Sequence, residues 1–259
     1  MRLIVGLIMM IFSLFSYCGS REYNPVTGEN QYIGLTARQE VALGLQAAPE
    51  MLKQYGGLHP DSRLQKKVDA VGLKIVNRSR AADPRWQFEF HLLKDAGTIN
   101  AFALPGGQIF ITSGLYNLFT TTDQLAAVLA HEIAHVSARH SSQRIAKSNL
   151  TNTMINAVMV GSGDATTTQI AALAGQLIHM SYSREDEVEA DRLGVYFMTD
   201  AGFDPEGMVK LMMVLEESGR GARMPEFFST HPNPDNRIEK IQQAIAEYTT
   251  IPSKSGAQP

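Results

Sequence analysis

The stretch LAAVLAHEIAH, residues 125–135, decides the fold and the chemistry of this chain. Apolar residues fill positions 125–130, so the helix that they predict is buried rather than solvated. Side chains four positions apart share one face of a helix, and His131 and His135 are therefore expected side by side, with Glu132 next to them. The two imidazoles can then reach one and the same ion.

The spacing of these three side chains is typical of a zinc site. Zinc binds neutral imidazole nitrogens, which His131 and His135 supply. An adjacent carboxylate, here Glu132, can accept the proton of a metal-bound water. A catalytic zinc also needs a third protein ligand and keeps one position open for water, so a further ligand is expected elsewhere in the chain.

The third ligand is expected in the acidic run REDEVEADR, residues 184–192. Apolar residues frame the run on both sides, which indicates a helix with at least one buried face rather than a fully solvated one. Glu187 and Asp191 lie four positions apart, so one could bind the metal while the other orients a ligand histidine. Spacing alone leaves Glu185, Glu187 and Glu189 open as the ligand.

The start of the chain is predicted to be a targeting segment. A short positive start precedes an apolar run from Leu3 to Phe15, which is too short for a membrane span and is typical of a secretory signal peptide. Cys18 follows directly, and the segment resembles a bacterial lipoprotein signal, in which the cysteine is lipidated. Residues 1–18 are expected to be this signal peptide; an ordinary cleavage site nearby is the alternative.

The composition is that of an ordinary globular protein. Of the 259 residues, 44% are hydrophobic and 19% are charged, which excludes a disordered chain and a multi-span membrane protein. The formal net charge of −3 gives no electrostatic reason to expect a nucleic-acid partner. The single cysteine excludes a disulfide framework within the chain and a zinc site built from cysteines.

Periodicity predicts an α+β, mostly helical fold with one small sheet. Residues 19–35 are expected to be an irregular tether, residues 36–250 the folded domain and residues 251–259 a disordered tail. Helices are expected over residues 36–55, where Pro49 should kink or split the helix, over 61–79, and through most of the chain after 121. Short strands are expected over residues 86–93, 100–104 and 108–112.

Residues 146–180 and His140 lead to predictions about structure but to no chemical role. Apolar stretches between residues 146 and 180 surround Gly161-Ser162-Gly163. They predict a helical hairpin in the core or, alternatively, a mobile flap over the zinc. His140 lies five positions after His135 and is expected to point elsewhere, to the surface.

His131-Glu132-x-x-His135 followed by Glu187-x-x-x-Asp191 resembles the gluzincin pattern of the HtpX/BepA/LoiP-like zinc metallopeptidases, peptidase family M48. The resemblance implies a zincin-like metallopeptidase fold with one zinc ion per chain. It also implies that Glu187 is the third ligand and that Asp191 orients a ligand histidine. Further family-like blocks occur in the right order: NPVTG at 24–28, NAFALPGG at 100–107, EADRLG at 189–194, AGFDP at 201–205, and STHP at 229–232 with Arg237.

The same resemblance implies roles for residues around the metal. Family members bind substrate as an added strand along an edge strand, here expected within Gly107 to Ser113, although a plain core hairpin is the alternative. His231 and Arg237 match a pair near the metal, where a cation would stabilise the oxyanion of the tetrahedral intermediate. In some relatives the histidine instead occupies the open zinc position. The expected substrate contacts are Asn100, Ala101, Gly107, Gln108, Ile109, Phe110 and Ile111.

The resemblance implies a zinc endopeptidase of the bacterial cell envelope, with Glu132 as general base and unfolded or extended polypeptides as substrates. The expected location is the periplasm, anchored to a membrane (outer rather than inner) by lipid on Cys18. The chain is expected to be of the shorter type, without tetratricopeptide repeats. Two alternatives remain: a non-proteolytic or autoinhibited assembly factor or chaperone that retains the zinc, and a zinc hydrolase acting on cell-wall crosslinks. The sequence does not indicate an oligomeric state.

Overall fold

The computed structural model describes residues 2–148, 181–219 and 224–250. Within these ranges the chain is mainly helical with two small sheets, which confirms the α+β prediction. The predicted hairpin or flap between residues 146 and 180 falls, from residue 149 onward, outside the described residues. The predicted disordered tail at 251–259 lies outside them as well.

Nine helices and five strands have defined bounds within the described ranges. The helices are α1 Arg2–Gly19, α2 Ala37–Gln54, α3 Ser62–Arg78, α4 Ser113–Tyr116, α5 Thr122–Ser137, α6 Arg184–Asp200, α7 Glu206–Ser218, α8 Phe227–Thr230 and α9 Arg237–Thr250. The strands are β1 Arg21–Asn24, β2 Glu29–Tyr32, β3 Glu89–Leu93, β4 Ala101–Ala103 and β5 Gln108–Thr112. Residues 140–148 are helical as well.

Helix α2 begins and ends close to its predicted bounds but is not split. Thr36 caps its first turn, and the Gln39 side chain bonds back to complete a capping box. Pro49 lies inside the helix, which continues to Gln54. A proline removes one backbone hydrogen bond, and the buried side chains of Ala48 and Met51 hold the helix against the core on both sides of it.

The three-stranded sheet has the order β3-β5-β4, with β5 parallel to β3 and antiparallel to β4. The prediction of an edge strand at Gly107–Ser113 is therefore wrong, because β5 pairs on both sides and all five of its residues are buried. The turn at Pro105-Gly106-Gly107 folds β4 onto one side of β5, and β3 takes the other. The two edge strands are β3 and β4; β3 has a further bridge between Leu93 and Leu58, whereas within the described residues no strand pairs with the outer side of β4, its free edge. The predicted substrate contacts Gly107, Gln108, Ile109, Phe110 and Ile111 thus lie on the central strand or the turn before it.

Residues 21–32 form a hairpin of β1 and β2 instead of the expected irregular tether. The turn residues of NPVTG close the hairpin, and Gly28 adopts a φ of 77°, which glycine accepts readily. Asn24 is buried and donates hydrogen bonds to the carbonyl oxygen of Ser137 at 2.8 Å and to Gln31 Oε1 at 3.0 Å. The hairpin is therefore fixed to the end of α5.

Helix α1 carries apolar side chains into solvent, including Ile8, Phe12 and Phe15. Cys18 lies near its end with an exposed, free thiol. Among the residues that the structure describes, no helix combines the length and the apolar character needed to cross a membrane.

Helix α5 lies at the centre of the core. Every residue of α5 from Gln124 to Ser137 is buried, and the helix packs against α3, α6, α7 and β4. Gly194 allows α6 to approach closely, because a Cβ there would lie 2.8 Å from Met208 Cε and 3.3 Å from the backbone nitrogen of His131. The contact between α5 and α6 brings the two chemically important segments together.

Arg139 joins the end of α5 to α2 and to the hairpin. Its buried guanidinium contacts Glu40 Oε1 at 2.7 and 2.8 Å, the carbonyl oxygen of Leu35 at 2.7 Å and Glu22 Oε1 at 2.8 Å. Arg139 also has a φ of 59°, a left-handed conformation that is uncommon outside glycine. These contacts compensate that backbone conformation and the burial of Glu40.

We expect Arg139→Met to lower the free energy of unfolding by about 3–5 kcal/mol, because it leaves the Glu40 carboxylate buried without its partner. Arg85→Met is the matched control: Arg85 pairs with Asp83 and Glu22 near the surface, where such pairs contribute about 0–1 kcal/mol. Urea unfolding followed by circular dichroism measures both. Equal unfolding midpoints for the two variants would contradict the role given to Arg139.

Candidate metal centre

Four side chains converge at one buried point: His131 and His135 from α5, Glu187 from α6, and His231 directly after α8. One donor atom from each lies within 4.8 Å of the others. None of the four is more than 1% exposed. The predicted ligands of the sequence are thus brought together, and His231 joins them.

The distances between the donor atoms fit a single ion. His131 Nε2 lies 3.0 Å from His135 Nε2 and 3.3 Å from His231 Nδ1, and Glu187 Oε1 lies 3.1 Å from His231 Nδ1 and 3.4 Å from His135 Nε2. Donors in tetrahedral contact with an ion at about 2.0–2.1 Å are about 3.3 Å apart. The donor set of three imidazoles and one carboxylate is one that a divalent transition metal accepts.

Burial selects the carboxylate ligand that spacing left open. Glu187 is 0% exposed and lies among the histidines, whereas Glu185 is exposed and Glu189 is directed to His140. Burial by itself would raise the pKa of Glu187, but the attraction of His231 and the contacts with the surrounding imidazoles hold that pKa well below its usual range. Glu187 is therefore an anion at neutral pH, as a metal ligand must be.

Asp191 and Arg237 support the cluster. His131 Nδ1–H donates to Asp191 Oδ1 at 2.9 Å, which directs His131 Nε2 to the other donors. Arg237 donates through Nε and Nη2 to the Asp191 carboxylate at 2.6 and 2.9 Å, and Nη2 lies 3.1 Å from Glu187 Oε2. Two guanidinium nitrogens of Arg237 thus contact the carboxylates of Asp191 and Glu187. These contacts are those of a residue that positions other side chains.

Glu132 is a buried carboxylate beside the four donors. It is 0% exposed, and neither of its oxygens has a hydrogen-bond partner among the described residues; His231 Nε2 lies 3.5 Å from its Oε1. Burial raises the pKa of Glu132. A carboxylate with a raised pKa accepts protons more readily near neutral pH, so its environment suits general-base chemistry.

The turn after α8 holds His231 in the cluster. Its backbone N–H donates to the carbonyl oxygen of Phe227 at 2.8 Å, and the Phe227 ring stacks on the imidazole with centroids 4.4 Å apart. The backbone N–H of Tyr182 donates to the carbonyl oxygen of Thr230 at 2.9 Å. His231 would thereby supply a fourth donor to an ion held here, in the position that a catalytic metal site leaves to water.

Sequence reasoning missed His140 and Tyr182. His140 is 1% exposed, which contradicts the predicted surface position, and its Nδ1 lies 2.8 Å from His135 Nδ1. Tyr182 stacks on the His135 ring with centroids 3.8 Å apart. The left-handed residue Arg139 changes the chain direction between His135 and His140, and no local sequence signal announces that change.

A cleft leads from the free edge of β4 to His231. Three of its lining residues form a small polar network, in which Tyr55 Oη and Asn100 Nδ2 donate to Glu226 Oε1 at 2.7 and 3.0 Å. Of the predicted substrate contacts, Asn100 lines this cleft and Ala101 lies on β4. Other lining residues are Met51, Phe102, Leu104, Tyr182 and Thr230.

Comparison with known proteins agrees with this site. Residues 62–245 match the family model described as Peptidase family M48. The chain is 32% identical over 240 residues to the mitochondrial metalloendopeptidase OMA1 of Schizosaccharomyces pombe, covering 87% of this chain and 67% of that protein. It is 29% identical over 221 residues to the beta-barrel assembly-enhancing protease of Escherichia coli K12, covering 80% of this chain and 45% of that protein. The chain thus spans about two thirds of the yeast relative and less than half of the bacterial one.

Glu187→Gln keeps the size of the ligand but removes its charge. We expect zinc affinity to fall by at least about 100-fold, because loss of a group that merely supports a ligand already costs about 10- to 100-fold. Glu185→Gln, an exposed position on the same helix, should bind as the wild type does. Competition with a chromophoric chelator measures both affinities, and equal values for the two variants would contradict Glu187 as a ligand.

Proposed function

The chain belongs to peptidase family M48, a family of zinc metallopeptidases, and on that premise we propose that it is a zinc-dependent endopeptidase acting on extended or misfolded proteins of the bacterial cell envelope. The observation that carries the proposal is the buried cluster of His131, His135 and Glu187 at the spacing of donors around a tetrahedral ion. Beside it lies Glu132, whose oxygens have no hydrogen-bond partner in the described part of the chain. Two imidazoles, a carboxylate ligand and a free carboxylate are the set that zinc-assisted hydrolysis uses.

His131, His135 and Glu187 would hold the zinc, which supplies a Lewis acid that activates water and polarises the scissile carbonyl. Glu132 takes the proton of the attacking water and later delivers it to the leaving amine. Asp191 keeps the lone pair of His131 Nε2 directed to the metal. Arg237 holds the carboxylates of Asp191 and Glu187 in place.

The free edge of β4 is proposed as the substrate-binding strand. Hydrogen bonds join Leu104 N–H to the Gln108 carbonyl and Thr112 N–H to the Asn100 carbonyl, so the backbone groups of Ala101 and Ala103 face away from β5. An extended polypeptide added there would be bound mainly through its backbone, which tolerates many sequences. This supports unfolded segments as substrates.

The second candidate is an autoinhibited or non-proteolytic assembly factor or chaperone that retains the zinc. The observation in its favour is His231, which closes the fourth position of the cluster. A site with four protein donors has no position for water, so hydrolysis requires His231 to withdraw. The intact Glu132 favours an autoinhibited peptidase over a permanently inactive factor, because a factor without hydrolytic activity needs no general base.

Cleavage of casein by the purified chain tests the proposed activity. We expect zinc-dependent cleavage that a chelator abolishes and that Glu132→Gln reduces by about 10²- to 10⁴-fold, because the general base is lost. We expect His231→Ala to cleave faster than the wild type, since it opens the fourth position.

The outcomes separate the candidates. Slower cleavage by His231→Ala, with zinc still bound, would instead assign His231 to oxyanion stabilisation. Absence of cleavage by both the wild type and His231→Ala, despite one bound zinc per chain, would contradict general proteolysis and favour the assembly factor. Cleavage of cell-wall fragments but not casein would favour the cell-wall hydrolase.

We also propose that the chain acts in the periplasm, anchored to the outer membrane through lipid on Cys18. The exposed apolar side chains of α1 and the exposed thiol of Cys18 support this location, as does the likeness to a bacterial beta-barrel assembly-enhancing protease.

Labelled palmitate fed to a bacterial host that expresses the chain tests the lipid anchor. We expect the label in the wild type and its loss in Cys18→Ala, because the thiol is the only acceptor of its kind in the chain. Equal labelling of the two would contradict the anchor, as would an unlabelled wild type.

A further inference from the structure

His135 is joined to two residues that the proposed mechanism does not use. His135 Nδ1 lies 2.8 Å from His140 Nδ1, and His140 Nε2 lies 3.0 Å from Glu189 Oε2. We propose that His140 is a positioning residue for the metal: it fixes the tautomer and the ring orientation of His135, while Glu189 fixes those of His140. The inference rests on the proposed metal site.

The Glu189 carboxylate sets the direction of both hydrogen bonds that link His135, His140 and Glu189. Ionised Glu189 only accepts, so His140 Nε2 carries a hydrogen and donates to it. A neutral His140 then has a lone pair on Nδ1, which accepts the hydrogen of His135 Nδ1. His135 Nε2 is left with its lone pair, and this is the atom that lies among the other metal donors. With His140 neutral, these two hydrogen bonds select the tautomer of His135 that a metal requires.

Two contacts at right angles define the plane of the His135 ring. His140 acts within the plane, at Nδ1, and Tyr182 lies against the face, with ring planes 15° apart. His140 is almost fully buried, so water does not compete for its hydrogen bonds. A ring held in both directions would present Nε2 to the metal without a further conformational cost.

The backbone places His140 there for a specific reason. Helix α5 ends at Ser137, and Arg139 adopts the left-handed φ of 59° before the next helical run begins at His140. In an uninterrupted helix, residues five apart point in different directions, as the sequence prediction assumed. The interruption turns His140 back to His135, and the buried ion pair of Arg139 with Glu40 holds the interruption in place.

The two metal histidines of α5 thus have different supports. His131 donates to the Asp191 carboxylate, whereas His135 donates to a neutral imidazole whose own acceptor is Glu189. Both carboxylates belong to α6, the helix that also supplies Glu187. One helix therefore provides a proposed ligand and the outer end of the support for each histidine.

Zinc affinity of the full chain tests the proposal, measured by competition with a chromophoric chelator. His140→Leu removes the acceptor, and we expect zinc affinity to fall by about 10- to 100-fold. His140→Asn keeps an acceptor, because its Oδ1 can occupy the place of Nδ1, and should restore most of that loss. Glu185→Ala, at an exposed position of α6, is the control and should bind as the wild type does.

The visible spectrum of the cobalt-substituted chain gives a second readout, since it reports the geometry of the donors. We expect a changed spectrum for His140→Leu and a wild-type spectrum for His140→Asn. Wild-type affinity in His140→Leu would overturn the proposal, as would equal losses in the Leu and Asn variants, which would indicate packing alone. A wild type that binds neither metal would refute the metal site itself. Thermal unfolding of the metal-free variants shows whether each one folds. If His140→Leu does not fold, the comparison of His140→Asn with the wild type tests the proposal.

Discussion

The burial of the polar face of α5 is the constraint on which the rest of the structure depends. Imidazole and carboxylate groups are unfavourable in an apolar interior unless each finds a partner. Helix α6 provides partners for the two histidines, because Glu187 contacts His131 and His135 and Asp191 contacts His131. The close approach of the two helices is possible because α6 has Gly194 at the contact. Packing and chemistry are therefore properties of one helix pair.

Residues further from the donor cluster hold its supporting residues in place. Asp191 is held by Arg237, and the start of the helical run at His140 depends on Arg139, whose guanidinium reaches Glu40 on α2. Asn24 fixes the hairpin to the last turn of α5. Parts of the chain that are far apart in sequence are thus connected to the same helix, which makes the geometry of the donors a property of the whole domain.

The sequence was sufficient to predict an element or a contact wherever the deciding interaction lies between residues close together in the chain. The i, i+4 spacing placed His131 beside His135, and the short strand predicted at residues 108–112, after the Pro105-Gly106-Gly107 turn, coincides with β5. The position of β5 in the middle of the sheet was not predictable, because it depends on a parallel pairing with β3 across an intervening segment. His140 was missed because a single left-handed residue, Arg139, redirects the chain, and residues other than glycine rarely adopt that conformation.

The choice of Glu187 over its acidic neighbours also depended on the fold. Spacing gave the three glutamates of α6 similar standing; the family resemblance implied Glu187, and in the structure burial against α5 distinguishes it from the other two. Short-range patterns therefore identified the class of chemistry, and long-range packing assigned the atoms.

On the proposed function, the closure of the cluster by His231 has an energetic consequence for the choice of substrate. His231 is held by a backbone hydrogen bond and by stacking on Phe227, and α8 is itself bonded to the segment before β4 through Phe227 N–H and the Ile99 carbonyl. An incoming chain has to offset the loss of these contacts with binding energy gathered along the β4 edge. On this reasoning, long, unstructured segments would form more of these backbone hydrogen bonds than short peptides or folded surfaces. Selection would thus take place at entry to the cleft, through the length of chain that is free to extend, before any bond is broken.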